Sequence, residues 1–184
     1  MNIVVAITGA SGAIYARQSL DILLNTPCVE RIALILSHHA EDVIEAEGVT
    51  LPQSERIERY SNDDMWASLA SGSARWDAML VVPASMGSVA RIASGVSRTL
   101  IERTADVMLK ERRKVVMVVR EAPYSLIHLR NMTSVTEAGA IIVPASPSLY
   151  FKPTTIEELC LTVSQRAVEQ LGIRVDHQEW GSSR

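Results

Sequence analysis

The sequence predicts an α/β fold of the Rossmann-like type, with a doubly wound parallel sheet and helices on both faces. Five short runs of nearly continuous apolar residues are typical of strands that are buried on both faces. Between these runs, apolar residues recur at the three- and four-residue spacing of amphipathic helices. Strands that alternate with helices in this way indicate a parallel sheet, because each helix carries the chain back to the start of the next strand.

The apolar runs give the positions of the strands, and the apolar stripes give those of the helices. The predicted strands cover residues 3–8, 32–37, 79–83, 115–120 and 140–144. The first helix is predicted from the stripe Ala13, Ala16, Leu20, Leu23 and Leu24. The last long helix is predicted from Ile156, Leu159, Cys160, Val163 and Ala167. Residues 48–75 are the least regular part of the chain and carry none of the predicted strands.

Length and charge limit the classes of function. The 184 residues suggest one domain spanning 1–184, with residues 171–184 as a C-terminal arm. A net charge of −3 and only 4% aromatic residues argue against a general binder of nucleic acid or of acidic membranes. No apolar run is long enough to span a membrane, and no charged region precedes the apolar stretch at the N-terminus. We therefore expect a cytoplasmic protein that binds neither nucleic acid nor membranes.

The first strand leads into a glycine-rich turn, Thr-Gly-Ala-Ser-Gly-Ala at residues 8–13. In open α/β sheets, ligands bind beyond the carboxyl ends of the strands, an edge that we call the carboxyl rim. Two glycines allow a tight turn here, and Ser11 can either cap the following helix or face a ligand. A helix N-terminus favours an anion, but the motif lacks the dinucleotide pattern. A plain turn and a nucleotide site both remain open.

A second loop of small residues, Pro-Ala-Ser-Met-Gly-Ser at residues 83–88, follows the third predicted strand. Ser85 is either a simple N-cap or part of a second cradle for an anion. Two loops of this kind on the carboxyl rim favour a cofactor that carries a phosphate. The two cysteines and four histidines show no spacing typical of a metal site or a disulfide framework.

Charged residues form a third group of candidates. Arg103, Asp106 and Lys110 share one face of a helix predicted around residues 97–110, and Arg120 and Glu121 follow the fourth predicted strand. An Arg-Glu pair at the end of a buried strand is costly unless it is paired or functional. Glu121 could relay a proton while Arg120 and Lys110 hold a phosphate. The alternative is a local network of ion pairs.

Taken together, these segments resemble the flavin prenyltransferase family (UbiX), long described as aromatic-acid or polyprenyl-hydroxybenzoate decarboxylases. The resemblance covers essentially the whole chain. Its most specific parts are residues 100–103, 105–107, 109–113, 120–123, 127–129 and 131–132. The loop at 83–88 also looks like the Pro-Ala-Ser-Ala-Asn-Thr loop of the flavin-dependent cysteine decarboxylases, which are wider relatives.

The resemblance implies a reaction that joins a dimethylallyl group from dimethylallyl phosphate to N5 and C6 of reduced FMN, without a metal. The product, prenylated FMN, would serve a UbiD-type decarboxylase. The protein must then stabilise the leaving phosphate with its own side chains in a water-poor pocket. The resemblance also implies a homo-oligomer, expected to be a dodecamer with the site between subunits.

The resemblance further implies a role for individual residues. The prenyl phosphate would be bound by Lys110, Arg120, Tyr150 and Arg166. The catalytic residues would be Glu121, Glu47 and Ser11. The FMN contacts would be Gly9, Ala10, Ser11, Ser37, Ser85, Ser88 and Arg103. Trp180 would lie near the active site, so that the arm covers it.

Four positions depart from the family pattern, namely Ala84, Gly87, the pair Arg98-Thr99, and Arg130. The Arg98-Thr99 change affects either the flavin loop or a subunit contact. Two alternatives stay open beside the prenyltransferase. One is a flavin-dependent decarboxylase of cysteinyl peptides, which requires a catalytic histidine rather than a basic phosphate site. The other is a non-catalytic carrier of FMN, which requires only the two serine-containing loops.

Overall fold

The computed structural model describes residues 1–176, which form an all-parallel sheet of six strands in the order β3-β2-β1-β4-β5-β6. The strands are β1 (Asn2–Ile7), β2 (Arg31–Leu36), β3 (Ile57–Tyr60), β4 (Ala78–Ala84), β5 (Lys114–Val119) and β6 (Ile141–Pro144). The helices are α1 (Ala13–Leu24), α2 (Ala40–Ala46), α3 (Met86–Ala93), α4 (Leu100–Lys110), α5 (Leu126–Glu137) and α6 (Ile156–Gln170), with a short 3₁₀ helix at Ser68–Ala70. The strand order reverses between β1 and β4, as in a Rossmann fold. The predicted fold class is confirmed.

The central strands separate two apolar cores. Along β1, Ile3, Val5 and Ile7 face one core, while Val4 and Ala6 face the other. Helices α1 and α6 pack against each other over the first core. Helices α3, α4 and α5 cover the second. Because β1, β2, β4 and β5 are buried on both faces, they are almost continuously apolar.

The edge strand β3 lies inside the region that the sequence marks as irregular. It pairs in parallel with β2, and its two central residues, Glu58 and Arg59, are charged and exposed, whereas Ile57 and Tyr60 at its ends are half-buried. An edge strand of this kind lacks the continuous apolar run of a central strand. A second difference concerns Ile156, which was expected in the buried stripe of α6. Its side chain is 70% exposed.

Side-chain caps fix where most helices begin. Thr99, Ser125 and Thr155 cap α4, α5 and α6 in capping boxes. Ser85 caps α3, because its hydroxyl oxygen accepts a hydrogen bond from the Ser88 amide at 3.3 Å. Ser85 therefore serves as the N-cap of α3, and a second role as a ligand contact stays a prediction.

The described part of the predicted C-terminal arm packs against the sheet. Leu171 and Ile173 are buried in the same core as α1 and α6. Trp180 lies outside the described residues. Over residues 1–176, none of the helices combines the length and the apolar character that crossing a membrane requires.

Candidate active site

Thr8 joins the ends of the two central strands at the carboxyl rim. Its hydroxyl donates to the Pro83 carbonyl at 2.8 Å and accepts from the Ser85 amide at 2.7 Å. Both predicted small-residue loops are thereby held side by side. The sequence places them on one edge, and the hydrogen bonds of Thr8 bring them into contact.

The loop after β2 approaches the first glycine-rich turn closely. A Cβ atom at Gly9 would lie 2.9 Å from Cβ of His39, so only glycine fits at this position. The Ser37 amide donates to the carbonyl of Ile7 at 2.9 Å, which fixes the start of that loop. Gly9, Ala10 and Ser37, three of the predicted cofactor contacts, therefore lie together on the rim.

Glu47 fills the N-terminus of α1. Its carboxylate accepts hydrogen bonds from the Gly12 amide at 2.9 Å and from the Ala13 amide at 2.7 Å. The N-cap residue of the helix is Gly12, whose φ of 113° is a conformation that glycine tolerates. The N-cap residue itself provides no side-chain hydrogen bond to the helix. A protein carboxylate therefore occupies the Gly12 and Ala13 amides of the first loop, so a ligand at this loop would bind to its other groups.

The environment of Glu47 favours its charged form. Burial raises its pKa, but hydrogen bonds from the Ser11 hydroxyl and from the Gly12 and Ala13 amides, with the nearby charge of Arg120, outweigh burial. The net pKa lies below the ordinary value of a glutamic acid. Glu47 is therefore a carboxylate at neutral pH, held in a cluster with Ser11 and Arg120.

Arg120 and Glu121 leave the sheet at the end of β5. The Nε atom of Arg120 donates to the Ser11 carbonyl at 3.3 Å, and its amide donates to the carbonyl of Ala84 at the same distance. The half-buried Glu121 accepts from the Ala122 amide at 3.0 Å. Arg120 thus turns toward the first loop rather than toward Glu121, and the Glu121 carboxylate has only a local backbone partner among these contacts.

A cleft of about 720 Å³ brings Tyr150 and Arg166 together. It lies between the segment that follows β6 and one side of α6. Its apolar lining includes Val143, Pro144, Phe151, Leu161 and Val163. Arg166 forms an ion pair with Glu169 at 3.3 Å, and its side chain is 67% exposed. The cleft therefore offers an apolar wall beside a phenol and a guanidinium.

The cleft adjoins the end of β5. Val119, the residue before Arg120, accepts a hydrogen bond from the Ala145 amide at 2.9 Å, and the neighbouring Pro144 lines the cleft. Arg120 therefore emerges from the sheet next to the segment that leads to Tyr150.

Lys110 does not join these residues within one chain. It ends α4 and precedes β5 by four residues, so it lies at the opposite edge of the sheet, which we call the amino edge. There its ammonium group pairs with Glu111. The neighbouring Arg113 donates to the carbonyls of Gly72 and Ala74, just before β4 begins. The six residues of β5 separate this edge from the carboxyl rim by about 20 Å.

Arg103 is held in place by its own chain. Its Nε atom donates to the carbonyl of Ala70 at 3.1 Å, and Nη1 pairs with Asp106 at 2.7 Å. The predicted common helix face of Arg103 and Asp106 is therefore confirmed by a direct contact. Lys110 lies one to two turns further along α4 and makes a different ion pair.

Tyr15 is a member of the rim cluster that the sequence interpretation missed. It is 8% exposed, and burial, with contributions from Cys160 and Glu47, raises its pKa to about 12, although Arg120 acts in the opposite direction. The burial of Tyr15 at helical spacing in α1 could be expected from the sequence. Its proximity to Glu47 and Arg120 could not, because the contact joins distant segments.

The start of α3 is one place on the rim that can accept an anion. The hydroxyl oxygens of Ser85 and Ser88 lie 3.0 Å apart, and the first-turn amides of a helix have no partner within it. These donors suit a phosphate or a carbonyl oxygen of a cofactor. No group of three metal-ligating side chains occurs among residues 1–176.

Comparison with known proteins adds an independent line of evidence. The profile of a family described as Flavoprotein matches residues 1–168. The chain is 39% identical over 186 residues to a protein named Flavin prenyltransferase UbiX from Methanocaldococcus jannaschii. That alignment covers 99% of this chain and 100% of the relative.

Two crystal structures show the same architecture. One is AnUbiX in complex with FMN and dimethylallyl pyrophosphate, which is 42% identical with a TM-score of 0.86 and covers 97% of this chain and 98% of that chain. The other is a dodecameric FMN-dependent UbiX-like decarboxylase from Escherichia coli, which is 36% identical with a TM-score of 0.90. It covers 99% of this chain and 100% of that chain.

Proposed function

Since the chain belongs to the flavin prenyltransferase family, we propose that it transfers a dimethylallyl group from dimethylallyl phosphate to reduced FMN. The products are prenylated FMN, in which the five-carbon group bridges N5 and C6, and inorganic phosphate. The observation that supports this best is the layout of the carboxyl rim. The serine pair of α3, the Ser11–Glu47–Arg120 cluster and the cleft of Tyr150 and Arg166 lie on one edge of the sheet.

The rim has donors for the cofactor and for the prenyl phosphate in different places. Ser85 and Ser88, with Gly9, Ala10, Ser11, Ser37 and Arg103, are the proposed FMN contacts. Arg120, Tyr150 and Arg166 are the proposed phosphate ligands on the same rim. The two guanidiniums neutralise the charge of a phosphate, and the phenol donates a hydrogen bond to it. Both effects promote the departure of the phosphate from the prenyl group. The apolar wall of the cleft suits a five-carbon chain.

Two carboxylates are available for proton transfer. We assign Glu121, together with the released phosphate, to the steps that move a proton near the reacting atoms, because this half-buried glutamate leaves the sheet at the end of β5, directly after Arg120. We assign Glu47 to the proton loss that accompanies ring closure. When bound, reduced FMN supplies the nucleophilic N5 and C6 atoms of the reaction.

The fourth phosphate ligand, Lys110, is proposed to come from another copy of the chain. Within one chain it lies at the amino edge, whereas the other three ligands lie at the carboxyl rim. A homo-oligomer, proposed to be a dodecamer as in the Escherichia coli relative, can bring the two edges of different copies together. We further propose that prenylated FMN passes to a UbiD-type decarboxylase, and that both proteins are cytoplasmic.

Anaerobic incubation with reduced FMN and a prenyl donor tests the proposal. We expect the flavin to gain the mass of one C5H8 unit, with release of phosphate from dimethylallyl phosphate. A parallel arm with dimethylallyl pyrophosphate decides which donor is used. An unchanged flavin with both donors, together with decarboxylation of a cysteinyl peptide, would favour the alternative decarboxylase.

The Glu121→Gln variant separates an enzyme from a carrier. We expect it to bind FMN as the parent does and to lose the mass gain, because the amide cannot accept and return a proton at this position. Flavin fluorescence measures binding, and mass spectrometry measures the product. Normal prenylation by this variant would show that Glu121 does not carry the proton.

A further inference from the structure

Arg91, on the exposed side of α3, is linked to the serine pair of the rim. Its Nη2 atom donates to the Ser88 hydroxyl oxygen at 3.3 Å. That oxygen lies 3.0 Å from the hydroxyl oxygen of Ser85. The Nη1 atom of Arg91 lies over Gly87, 3.3 Å from the position that a Cβ atom would take there. A Cβ atom at position 87 would therefore require the guanidinium to shift by a few tenths of an ångström.

A buried carboxylate holds Arg91 in this position. Glu102 is 3% exposed, and its Oε1 accepts from Nε of Arg91 at 2.5 Å. Its Oε2 accepts from the amides of Arg98 at 2.8 Å and Thr99 at 3.2 Å. Both oxygens are therefore used, and the ion pair joins the start of α4 to α3. A buried carboxylate paired in this way fixes the orientation of its arginine far better than a surface pair does.

The Arg91 guanidinium determines which hydroxyl protons of Ser85 and Ser88 are available for hydrogen bonds to a ligand. An arginine only donates hydrogen bonds, so its contact uses a lone pair of Ser88 and leaves the Ser88 proton available. One hydroxyl proton joins the two serines, whichever residue donates it. The second hydroxyl proton remains available for a hydrogen bond to a ligand. The positive charge of Arg91 makes that hydroxyl group a stronger donor. The pair therefore presents a hydrogen-bond donor to the rim.

We propose that Arg91, held by Glu102, is a positioning residue that acts through Ser88, so that the serine pair donates to an acceptor atom of the flavin. This role rests on the proposed function, because it takes the serine pair as an FMN contact. Arg91 itself acts on the hydroxyl groups and need not touch the cofactor. The Arg91–Glu102 ion pair thereby strengthens the binding of a flavin in which the atom that faces the serine pair accepts a hydrogen bond.

Flavin binding in a double-mutant cycle tests this role. The dissociation constant of FMN is measured by fluorescence for the parent, Arg91→Met, Ser88→Ala and the double variant. We expect each single change to weaken binding about tenfold, and the double variant to bind about as weakly as either single one, because both changes interrupt the same contact. Arg91→Lys keeps a donor and should retain affinity within about threefold. Arg130→Met, which alters an exposed arginine on α5, is the matched control.

Each outcome is decisive. Independent, multiplying effects of Arg91→Met and Ser88→Ala would overturn the proposal, as would unchanged FMN affinity in Arg91→Met. If Arg91→Met does not fold, the Glu102→Gln variant is measured instead. Glutamine preserves the capping box of α4 but releases the Arg91 guanidinium. The effect of Glu102→Gln on FMN affinity should vanish when Ser88 is already replaced by alanine. A parent that binds no FMN would instead refute the proposed function. Riboflavin as a second ligand shows whether the acceptor is the phosphate or lies elsewhere on the flavin.

Discussion

Glu47 shows how one side chain changes the interpretation of a motif. The turn at residues 8–13 has the composition of an anion site, and α1 does begin there. The amides that would bind the anion are already bonded to Glu47, 35 positions away from Gly12 in the chain. The sequence could predict the turn and could not predict its occupant, because the contact depends on how α2 packs against the rim.

Replacing Glu47 by glutamine should destabilise the protein at neutral pH. We expect a loss of about 1 kcal/mol, because hydrogen bonds to a charged group are worth roughly 1.5–3 kcal/mol and solvent at this exposed position screens part of that. Glu45→Gln, which changes an exposed glutamate within α2, is the control. Denaturant unfolding measures both.

The same variant should also change the response to acid. The folded pKa of Glu47 is lowered, so its contribution is present above the unfolded value of about 4.3 and is lost as the pH falls through the folded pKa. The difference between parent and Glu47→Gln should therefore shrink as the pH falls below about 4. A difference that stays constant from neutral to acid pH would contradict the assigned cap.

Tyr15 gives a prediction for alkaline conditions. Its folded pKa is raised to about 12, so the folded state holds the proton more tightly than the unfolded chain does. Stability should fall as the pH rises from about 10 to about 12, and the fall should be weaker in Tyr15→Phe. Unfolding followed across that window, with the exposed Tyr124→Phe as control, measures the effect. Identical slopes in both variants would refute it.

Among the elements, the buried strands were predictable and the edge strand was not. The runs over β1, β2, β4, β5 and β6 are apolar because both faces of these strands are covered or nearly so. In β3, Glu58 and Arg59 are exposed, and only pairing with β2 defines the strand. Similarly, Ile156 fits the apolar spacing of α6, but it lies in the first turn, beyond the edge of the core.

The start of α6 depends on Thr155. Its hydroxyl oxygen accepts from the Glu158 amide at 3.1 Å within a capping box. Thr155→Ala should lower the free energy of unfolding by about 1 kcal/mol, since the amide loses its partner. Thr133→Ala removes a threonine from the interior of the exposed helix α5 and should change stability by less than about 0.5 kcal/mol. If Thr155→Ala and Thr133→Ala lowered the free energy of unfolding equally, the capping hydrogen bond of Thr155 would contribute nothing to stability.

The whole molecule separates residues that the sequence groups together. Helical spacing predicted which residues share a face of α4, and the Arg103–Asp106 contact agrees with it. Spacing does not tell which end of a helix reaches which edge of the sheet. Because α4 returns the chain from the carboxyl rim to the start of β5, Lys110 lies at the amino edge, far from Arg120. The proposed phosphate site, which includes both residues, would therefore need at least two copies of the chain.

Mixed oligomers provide the test of this shared site. Lys110→Ala and Arg120→Ala chains, each with a different affinity tag, are co-expressed, and assemblies that contain both are purified. Each variant alone should make almost no prenylated FMN. If Lys110 and Arg120 of one site come from different copies, random mixing should restore about a quarter of the sites. Mixed assemblies as inactive as the single variants, or full activity of either variant alone, would contradict a phosphate site built from two copies.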